Sequence, residues 1–208
     1  MNQPAQIKHV VFDIGQVLIH YDPDLPFQRI IPDAEKRAFF FDSVCTKAWN
    51  VEQDRGRPWA EAEALLIEQH PEWETEIRAF RQSWREMVPH SYKGSVDTLL
   101  TLLEGGHDIT FLTNFAADTF VEAQEMYPFL NAGRGATVSG QAKLIKPDPA
   151  IYALHTQTHE LDPSATLFID DSIPNVEAAR EFGWQAIRFT APESLPSQLA
   201  DYGIFTDA

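Results

Sequence analysis

The sequence contains a single cysteine, Cys45, few basic residues and no long apolar run. One thiol cannot form an internal disulfide, so the fold must be stabilised by burial of apolar side chains. No stretch approaches the roughly 20 apolar residues that cross a bilayer. The first residues also lack the basic and apolar segments of a secretory signal. We therefore expect a cytoplasmic protein with no membrane partner.

Basic side chains are outnumbered by acidic ones, 16 against 31, and the formal net charge is −15 at pH 7. A chain of this charge repels phosphate backbones and anionic lipids. We expect no nucleic-acid partner, and any anion that the protein binds must be captured by local groups. The 208 residues, 44% of them hydrophobic, suffice for one domain with an insertion or for two small domains.

Three apolar runs end in polar residues, namely VVFDIG, ITFLTN and TLFIDD, and a weaker run, AIRF, covers residues 186–189. Each has the length and β-branched content of a strand. Helical patterns lie between them, so strand and helix alternate. The alternation predicts an α/β fold, a doubly wound, Rossmann-like parallel sheet with helices on both faces.

Helix ends are marked at several points of this pattern. Ser95 is placed to cap the start of SVDTLLTLLEGG, and Asp148 caps a helix with Pro149 at its first position. Gly183 is placed to end the helix NVEAAREFG.

The segment from residue 21 to residue 90 shows no convincing strand and is rich in charge and large aromatics. It contains four of the five tryptophans, Trp49, Trp59, Trp73 and Trp84. Its periodicity is typical of several amphipathic helices. We predict a helical domain over residues 21–90, inserted into a core formed by residues 1–20 and 91–208.

The carboxyl ends of parallel strands meet at one edge of a sheet, where ligands bind in doubly wound folds. That edge would gather the polar residues that close the three strands, which are Asp13, Thr113, Asn114, Asp170 and Asp171. Lys146, in LIKPDPAIY, could lie over the same edge. Together these groups suit phosphoryl transfer through an aspartyl-phosphate with Mg²⁺ as cofactor.

Each residue type has a role in that chemistry. Asp13 would be the nucleophile and a Mg²⁺ ligand, and Asp171 would be the second carboxylate on the metal. Lys146 would neutralise charge, while Thr113 would offer a hydroxyl donor to the substrate. Asn114 would offer its side-chain amide to the substrate. Asp170 and Asn175 would orient Asp171 from outside the metal site.

Taken singly, these residues have simpler interpretations. An aspartate near a glycine is common in turns, a Thr-Asn pair can close a strand by bonding backbone, and Lys146 could be a solvated loop residue. The Asp170–Asp171 pair could cap the helix that follows. The ordered set of four is what favours catalysis.

The four motifs, in their order, resemble the haloacid dehalogenase-like hydrolases, most of which are Mg²⁺-dependent phosphatases. The matching stretches are FDIGQVL, FLTN, KPD and FIDDSIPNVEAA. The resemblance implies that residues 21–90 are a helical cap of the family's first cap class, which closes over the site and selects the substrate. The sequences of these motifs are most similar to those of the branch that includes a glucose-1-phosphate phosphatase.

Gly15 departs from the family pattern, in which a second aspartate two residues after the nucleophile protonates the leaving group. The family's metal ligand at this position is a backbone carbonyl, which Gly15 also supplies. The acid itself is missing unless His20 or a cap carboxylate such as Asp54 replaces it. Without an acid, sugar-1-phosphates should be better substrates than 6-phosphates, because their leaving oxygen needs less protonation.

We therefore expect a Mg²⁺-dependent phosphomonoester hydrolase for a small phosphorylated metabolite, such as a sugar-1-phosphate. One alternative is a metal-free 2-haloacid dehalogenase of the same fold, which would have hydroxyl residues in place of the acidic pair. The other is a weakly active member that binds a phosphorylated ligand or a protein. Arg55 and Arg57, beside Gly56, could contact substrate or could be solvated surface residues, as most exposed arginines are.

Overall fold

The computed structural model describes residues 6–205 of the chain. Its centre is one sheet of five parallel strands in the order β3-β2-β1-β4-β5. The strands are β1 (His9–Phe12), β2 (Asp108–Thr113), β3 (Gly135–Val138), β4 (Thr166–Asp170) and β5 (Gln185–Arg188). The predicted parallel α/β sheet is confirmed. Within these residues no helix is both long enough and apolar enough to cross a bilayer.

The sheet is buried on both faces, as continuous apolar strands require. Successive side chains of a strand point to opposite faces. Val10 and Phe12 accordingly join one hydrophobic core, while Val11 joins a second core on the other face together with Tyr152 and Trp184. This burial fixes β1 at the centre of the sheet, so the residue that follows it emerges in the middle of the carboxyl edge.

Strand β3 has no counterpart in the sequence prediction. Its sequence is GATV, and only its last two residues are buried. It is an edge strand that pairs with β2 alone. An edge strand needs only part of its length to be apolar, so it leaves no run long enough to recognise.

The segment after β1 is helical, as predicted. Its helices are α1 (Asp24–Ile30), α2 (Ala34–Phe39), α3 (Lys47–Asp54), α4 (Trp59–Gln69), α5 (Glu74–Gln82) and α6 (Trp84–Met87), with a π-helical turn at Phe40–Val44 and a 3-10 turn at Pro71–Trp73. Aromatic rings fill its interior: the Phe27 and Phe40 rings stack with centroids 5.0 Å apart, and Trp49 meets Phe80 at 5.4 Å. The helices are short, and such large side chains supply most of their packing area.

The remaining helices cover the sheet. They are α7 (Lys93–Glu104), α8 (Ala117–Met126), α9 (Ser139–Ala142), α10 (Pro149–Thr158), α11 (Ile173–Phe182) and α12 (Leu195–Ala200), with 3-10 turns at Pro128–Asn131, Pro163–Ala165 and Pro192–Ser194. Asp148 caps α10 by accepting a bond from the Ala150 N–H, and Gly183 ends α11 with a φ of 105°. Both of these predictions are confirmed.

The predicted cap at Ser95 is wrong. Helix α7 begins at Lys93 with Tyr92 as its N-cap, and Ser95 lies inside the helix as a buried residue. The start is set by tertiary contacts, because the Tyr92 N–H donates to the Leu18 carbonyl at 2.9 Å. The two chain segments that connect the insertion to the sheet run side by side here, with the His20 N–H donating to the His90 carbonyl at 3.1 Å.

A histidine lies in the core between α10 and the sheet. His155 is fully buried, with its ring nitrogens 2.9 Å from the Thr110 hydroxyl and 2.8 Å from the Thr137 hydroxyl. Burial, and then the nearby His159, lowers the pKa of His155 to about 2. The folded state therefore holds this imidazole neutral. Its contribution to the free energy of unfolding is complete above the unfolded pKa of about 6.5 and is lost as the pH falls below that value.

We expect the free energy of unfolding to fall by about 2 kcal/mol through His155 between pH 7.5 and about pH 5, because the unfolded imidazole takes up a proton that the folded one does not. Urea titrations at the two pH values measure the difference. His155→Gln should lose most of this pH dependence, and His107→Gln, on a partly exposed turn, should keep it. An unchanged pH dependence in His155→Gln would contradict the assignment.

Candidate active site

A lysine and two aspartates meet at the carboxyl edge of the sheet. The Lys146 Nζ lies 2.9 Å from Asp13 Oδ1 and 2.7 Å from Asp170 Oδ2, and it donates to the Leu112 carbonyl at 3.0 Å. Asp13 follows β1, Leu112 belongs to β2, and Asp170 ends β4. The ammonium therefore joins the ends of three strands, and sequence reasoning had placed these charged groups together.

Asp170 is held by protein donors on both of its oxygens. Asn175 Nδ2 donates to them at 3.0 and 3.1 Å, the Ser172 N–H donates to Oδ1 at 2.8 Å, and Lys146 bonds Oδ2. The carboxylate is completely buried. Its lone pairs are thus largely used inside the protein, which suits a group that positions its neighbours.

The carboxylates of Asp13, Asp170 and Asp171 offer oxygens that all lie within 4.8 Å of one another. With all three ionised and Lys146 charged, the cluster carries two net negative charges. Burial raises the pKa of Asp13 to about 7, against the opposing pull of the Lys146 ammonium. Burial, followed by Asp170, raises the pKa of Asp171. A hard divalent cation with oxygen ligands would relieve this charge, so the donor set fits Mg²⁺.

Lys146 keeps its proton in this environment. Burial alone lowers the pKa of a lysine, but Asp13 and then Asp170 outweigh it and raise the pKa. The Lys146 side chain is fully buried, and its ammonium makes three contacts with oxygen. It is therefore a fixed positive charge beside Asp13.

Thr113 ends β2 and Asn114 follows it, so both lie at the same edge of the sheet. The Asn114 side chain clamps the Lys146 backbone, donating to its carbonyl at 3.0 Å and accepting from its N–H at 2.9 Å. The Thr113 hydroxyl is buried and has no partner among the described residues. Asn114 thus positions Lys146, and the roles of both residues toward a substrate stay predictions.

The loop after Asp13 is open at Gly15 and constrained at the next residue. A Cβ added at Gly15 would meet no atom within 4 Å, so crowding does not require glycine there. Gln16 adopts the left-handed region with φ of 59°, where its side chain donates to the Tyr21 carbonyl at 2.6 Å and accepts from the Tyr92 hydroxyl at 2.8 Å. Gln16 therefore ties this loop to both connecting segments.

A cavity of about 520 Å³ lies over the cluster. Asp13, Gly15, Asn114, Lys146, Asp171 and Asn175 line it from the core. The insertion contributes a mixed polar and aromatic wall made of Lys47, Asn50, Val51, Asp54, Arg55, Trp59, Trp84 and Val88. The helical segment therefore covers the strand ends.

Other residues considered from the sequence lie elsewhere. Arg57 donates to Gln53 Oε1 at 2.8 Å and to the Trp49 carbonyl at 3.0 Å, so it braces the insertion. His20 is not among the described residues that line the cavity, and its ring stacks on that of His90 with the centroids 4.8 Å apart. Of the two arginines, Arg55 is the one placed to meet a ligand.

Contacts between core and insertion were not foreseen from the sequence. The Ser139 hydroxyl donates to the Asp54 carbonyl at 2.5 Å, and Lys143 donates to the Gly56 carbonyl at 2.7 Å. On α5, Arg81 pairs with Glu122 and Asp118 of α8 at 2.5 and 2.9 Å. Each contact joins residues far apart in the chain, and no local pattern announces it.

The sheet order and the acidic carboxyl edge define a Rossmann-like hydrolase, and comparison with known proteins agrees. A family model described as haloacid dehalogenase-like hydrolase matches residues 7–183. The chain belongs to this family. It is 25% identical over 194 residues to a D-ribitol-5-phosphate phosphatase of Bacteroides thetaiotaomicron, covering 88% of this chain and 91% of the relative.

Solved structures show the same fold. A haloacid dehalogenase family enzyme of Bacteroides thetaiotaomicron, in complex with magnesium and inorganic phosphate, superposes with a TM-score of 0.72 at 23% identity, covering 92% of this chain and 98% of that one. An L-2-haloacid dehalogenase of Xanthobacter autotrophicus with covalently bound chloropropionic acid gives 0.65 at 19% identity, with 94% and 83% covered. The fold therefore accommodates both chemistries, and the site residues must decide between them.

Replacing Lys146 by methionine should lower the free energy of unfolding by about 3 kcal/mol or more at neutral pH, because two buried carboxylates lose their counter-charge. The loss should be smaller near pH 5, where Asp13 can take up a proton. Chemical denaturation at both pH values measures this. Lys36→Met, which removes an exposed ammonium, is the matched control, and an equal loss in the two variants would show that Lys146 does not balance the cluster.

Proposed function

We propose that the protein is a Mg²⁺-dependent phosphomonoester hydrolase that acts through an aspartyl-phosphate on a small phosphorylated metabolite, such as a sugar phosphate. The observation that carries the proposal is the Lys146 ammonium beside Asp13 in a cluster of three carboxylates. The relative that acts on D-ribitol 5-phosphate, and the structural neighbour that holds magnesium and phosphate, support it.

Asp13 would attack phosphorus and receive the phosphoryl group, and water would then release phosphate from it. The Lys146 ammonium offsets the negative charge of Asp13 and would face the phosphoryl oxygens. The Thr113 hydroxyl would donate a hydrogen bond to one of these oxygens. Asp13, the Gly15 carbonyl and Asp171 would hold Mg²⁺, with Asp170 at its outer side. When bound, Mg²⁺ supplies positive charge to the phosphoryl group and orients it.

The acidic cluster favours phosphoryl transfer over dehalogenation. Displacement of halide from carbon needs no divalent cation, and a metal-free site would leave the charge of Asp170 and Asp171 poorly balanced. The chain is 19% identical in sequence to the L-2-haloacid dehalogenase, so this similarity shows a shared fold and not a shared reaction. The presence of Asp13 and Lys146 in direct contact also favours an active enzyme over a protein that only binds a phosphorylated ligand.

The cavity suits a phosphorylated sugar or sugar alcohol. Its volume lies within the range of small-molecule sites. Asn50 and Arg55 offer hydrogen-bond donors to hydroxyl groups, and Trp59 and Trp84 offer apolar surfaces on which a sugar can stack. The mixed wall is consistent with a polyol carrying one phosphate.

Purified protein should hydrolyse members of a panel of sugar and sugar-alcohol phosphates with Mg²⁺ and lose this activity on chelation. Asp13→Asn should abolish turnover without a change in fold, because an amide cannot form the acyl-phosphate and is nearly isosteric. Phosphate release and circular dichroism measure the two effects. Hydrolysis retained in Asp13→Asn would disprove the nucleophile assignment. Release of halide from added 2-chloropropionate, with no release of phosphate from the panel, would favour the dehalogenase.

Asp171→Ala should raise the Mg²⁺ concentration needed for half-maximal activity far more than Asp170→Ala. The reason is that Asp171 lines the cavity, whereas the Asp170 carboxylate is fully buried and already bonded by Lys146 and Asn175. Magnesium titrations of phosphate release at fixed substrate compare the variants. Equal shifts would mean that the two carboxylates share the metal.

A further inference from the structure

Hydrolysis of an alkyl phosphate requires a proton for the leaving oxygen, and donors near Asp13 are few. The Lys146 ammonium is engaged by Asp13, Asp170 and the Leu112 carbonyl. Burial raises the pKa of the Tyr21 phenol far above neutrality. Asp171 belongs to the carboxylate cluster. Among the carboxylic acids of the described residues that line the cavity, Asp54 is the one that stands outside this cluster.

Asp54 is fixed in place by the core although it belongs to the insertion. It is the last residue of α3, and its carbonyl accepts a bond from Ser139 at 2.5 Å. Two residues later the Gly56 carbonyl accepts from Lys143 at 2.7 Å. The Ala116 N–H, at the start of α8, lies against the Asp54 carboxyl group. The side chain therefore lines the cavity on a segment that the core holds at several points.

Burial raises the pKa of Asp54 to about 7, and the Ala116 N–H acts in the opposite direction. A carboxyl group with this proton affinity is protonated in a useful fraction near neutral pH, and its conjugate base can take the proton back. Such a pKa near the working pH is what efficient proton transfer requires.

We propose that Asp54 is the general acid and base of the reaction. The assignment rests on the proposed function. In the first step an Asp13 oxygen bonds to phosphorus, the ester P–O bond breaks, and the leaving oxygen takes the Asp54 proton. In the second step a water oxygen bonds to phosphorus, Asp54 takes the water proton, and the bond between phosphorus and Asp13 breaks. The products are an alcohol and phosphate, and both carboxyl groups return to their first state.

His20 is a weaker candidate for this role. Its Nδ1 is engaged with the Tyr92 hydroxyl at 2.9 Å, and its ring is stacked on His90. Asp54 also has a competing structural interpretation, since its carboxyl group meets the start of α8 and could simply join insertion to core. A test must therefore separate proton transfer from positioning.

Asp54→Asn separates them when two esters are compared. Its kcat/KM for an alkyl ester such as glucose 6-phosphate should fall by about 100-fold or more, since that is the usual contribution of general acid catalysis. Its kcat/KM for 4-nitrophenyl phosphate should change little, because the leaving phenolate needs little protonation. Glucose 1-phosphate should fall between them. Asp42→Asn, an exposed acid of the insertion, should match the natural protein on all three esters.

The natural protein provides a second measurement that does not depend on the folding of a variant. Its kcat/KM for the alkyl ester should decline above about pH 7, where the acid loses its proton, and the aryl ester should lack this decline. Equal losses for both esters in Asp54→Asn, or identical alkaline limbs in the natural protein, would overturn the role of Asp54.

The outcomes also separate this inference from the proposed function. If the natural protein hydrolyses no ester with Mg²⁺, or if Asp13→Asn remains active, the proposed function fails and the role of Asp54 fails with it. If both controls behave as expected and Asp54→Asn does not discriminate between the esters, the inference on Asp54 alone is wrong.

Discussion

The Lys146 ammonium lies buried between the Asp13 and Asp170 carboxylates, at 2.9 and 2.7 Å, and also binds the Leu112 carbonyl. Three neighbouring strands end at these groups, so one positive charge holds together the carboxyl edge of the sheet. An isolated buried charge is very unfavourable, and so is a pair of like charges without a counter-charge. The arrangement of the site therefore depends on this lysine, and Asn114 fixes its backbone from both sides.

The same charge balance explains why a metal suits the site. One lysine offsets only one of the three clustered carboxylates, and the remaining charge calls for a divalent cation. The insertion is joined to the core by the bonds of Ser139 and Lys143 and by the ion pair of Arg81 with Glu122. Core and insertion thus line different parts of the same cavity.

Much of this arrangement could be predicted from the sequence, because two strong local signals coincide. Buried parallel strands give continuous apolar runs, and polar residues directly after them must gather at one edge. These signals placed Asp13, Asp170 and Asp171 together, whereas Lys146, which follows no strand, could only be suggested for the same edge. Asp148 and Gly183 were predictable for similar reasons, since the capping of a helix is decided by its nearest neighbours in the chain.

The features that escaped prediction depend on contacts between distant segments. Strand β3 exists because β2 offers it an edge, and α7 starts before Ser95 because Tyr92 pairs with Leu18. The cavity position of Asp54 follows from a bond to Ser139, which is 85 residues away in the chain. Local propensity carries no information about such pairings, so residues of the insertion could be named as candidates but could not be ranked.

The stereochemical course at phosphorus tests the central claim most directly, because transfer to Asp13 and then to water comprises two in-line displacements. A phosphorothioate ester made chiral at phosphorus with two oxygen isotopes would be hydrolysed with Mg²⁺ in water that carries the third isotope, and the configuration of the released thiophosphate would be determined. The account predicts overall retention, since each displacement inverts the centre once. Inversion would mean that water attacks the substrate directly and that Asp13 is not the nucleophile.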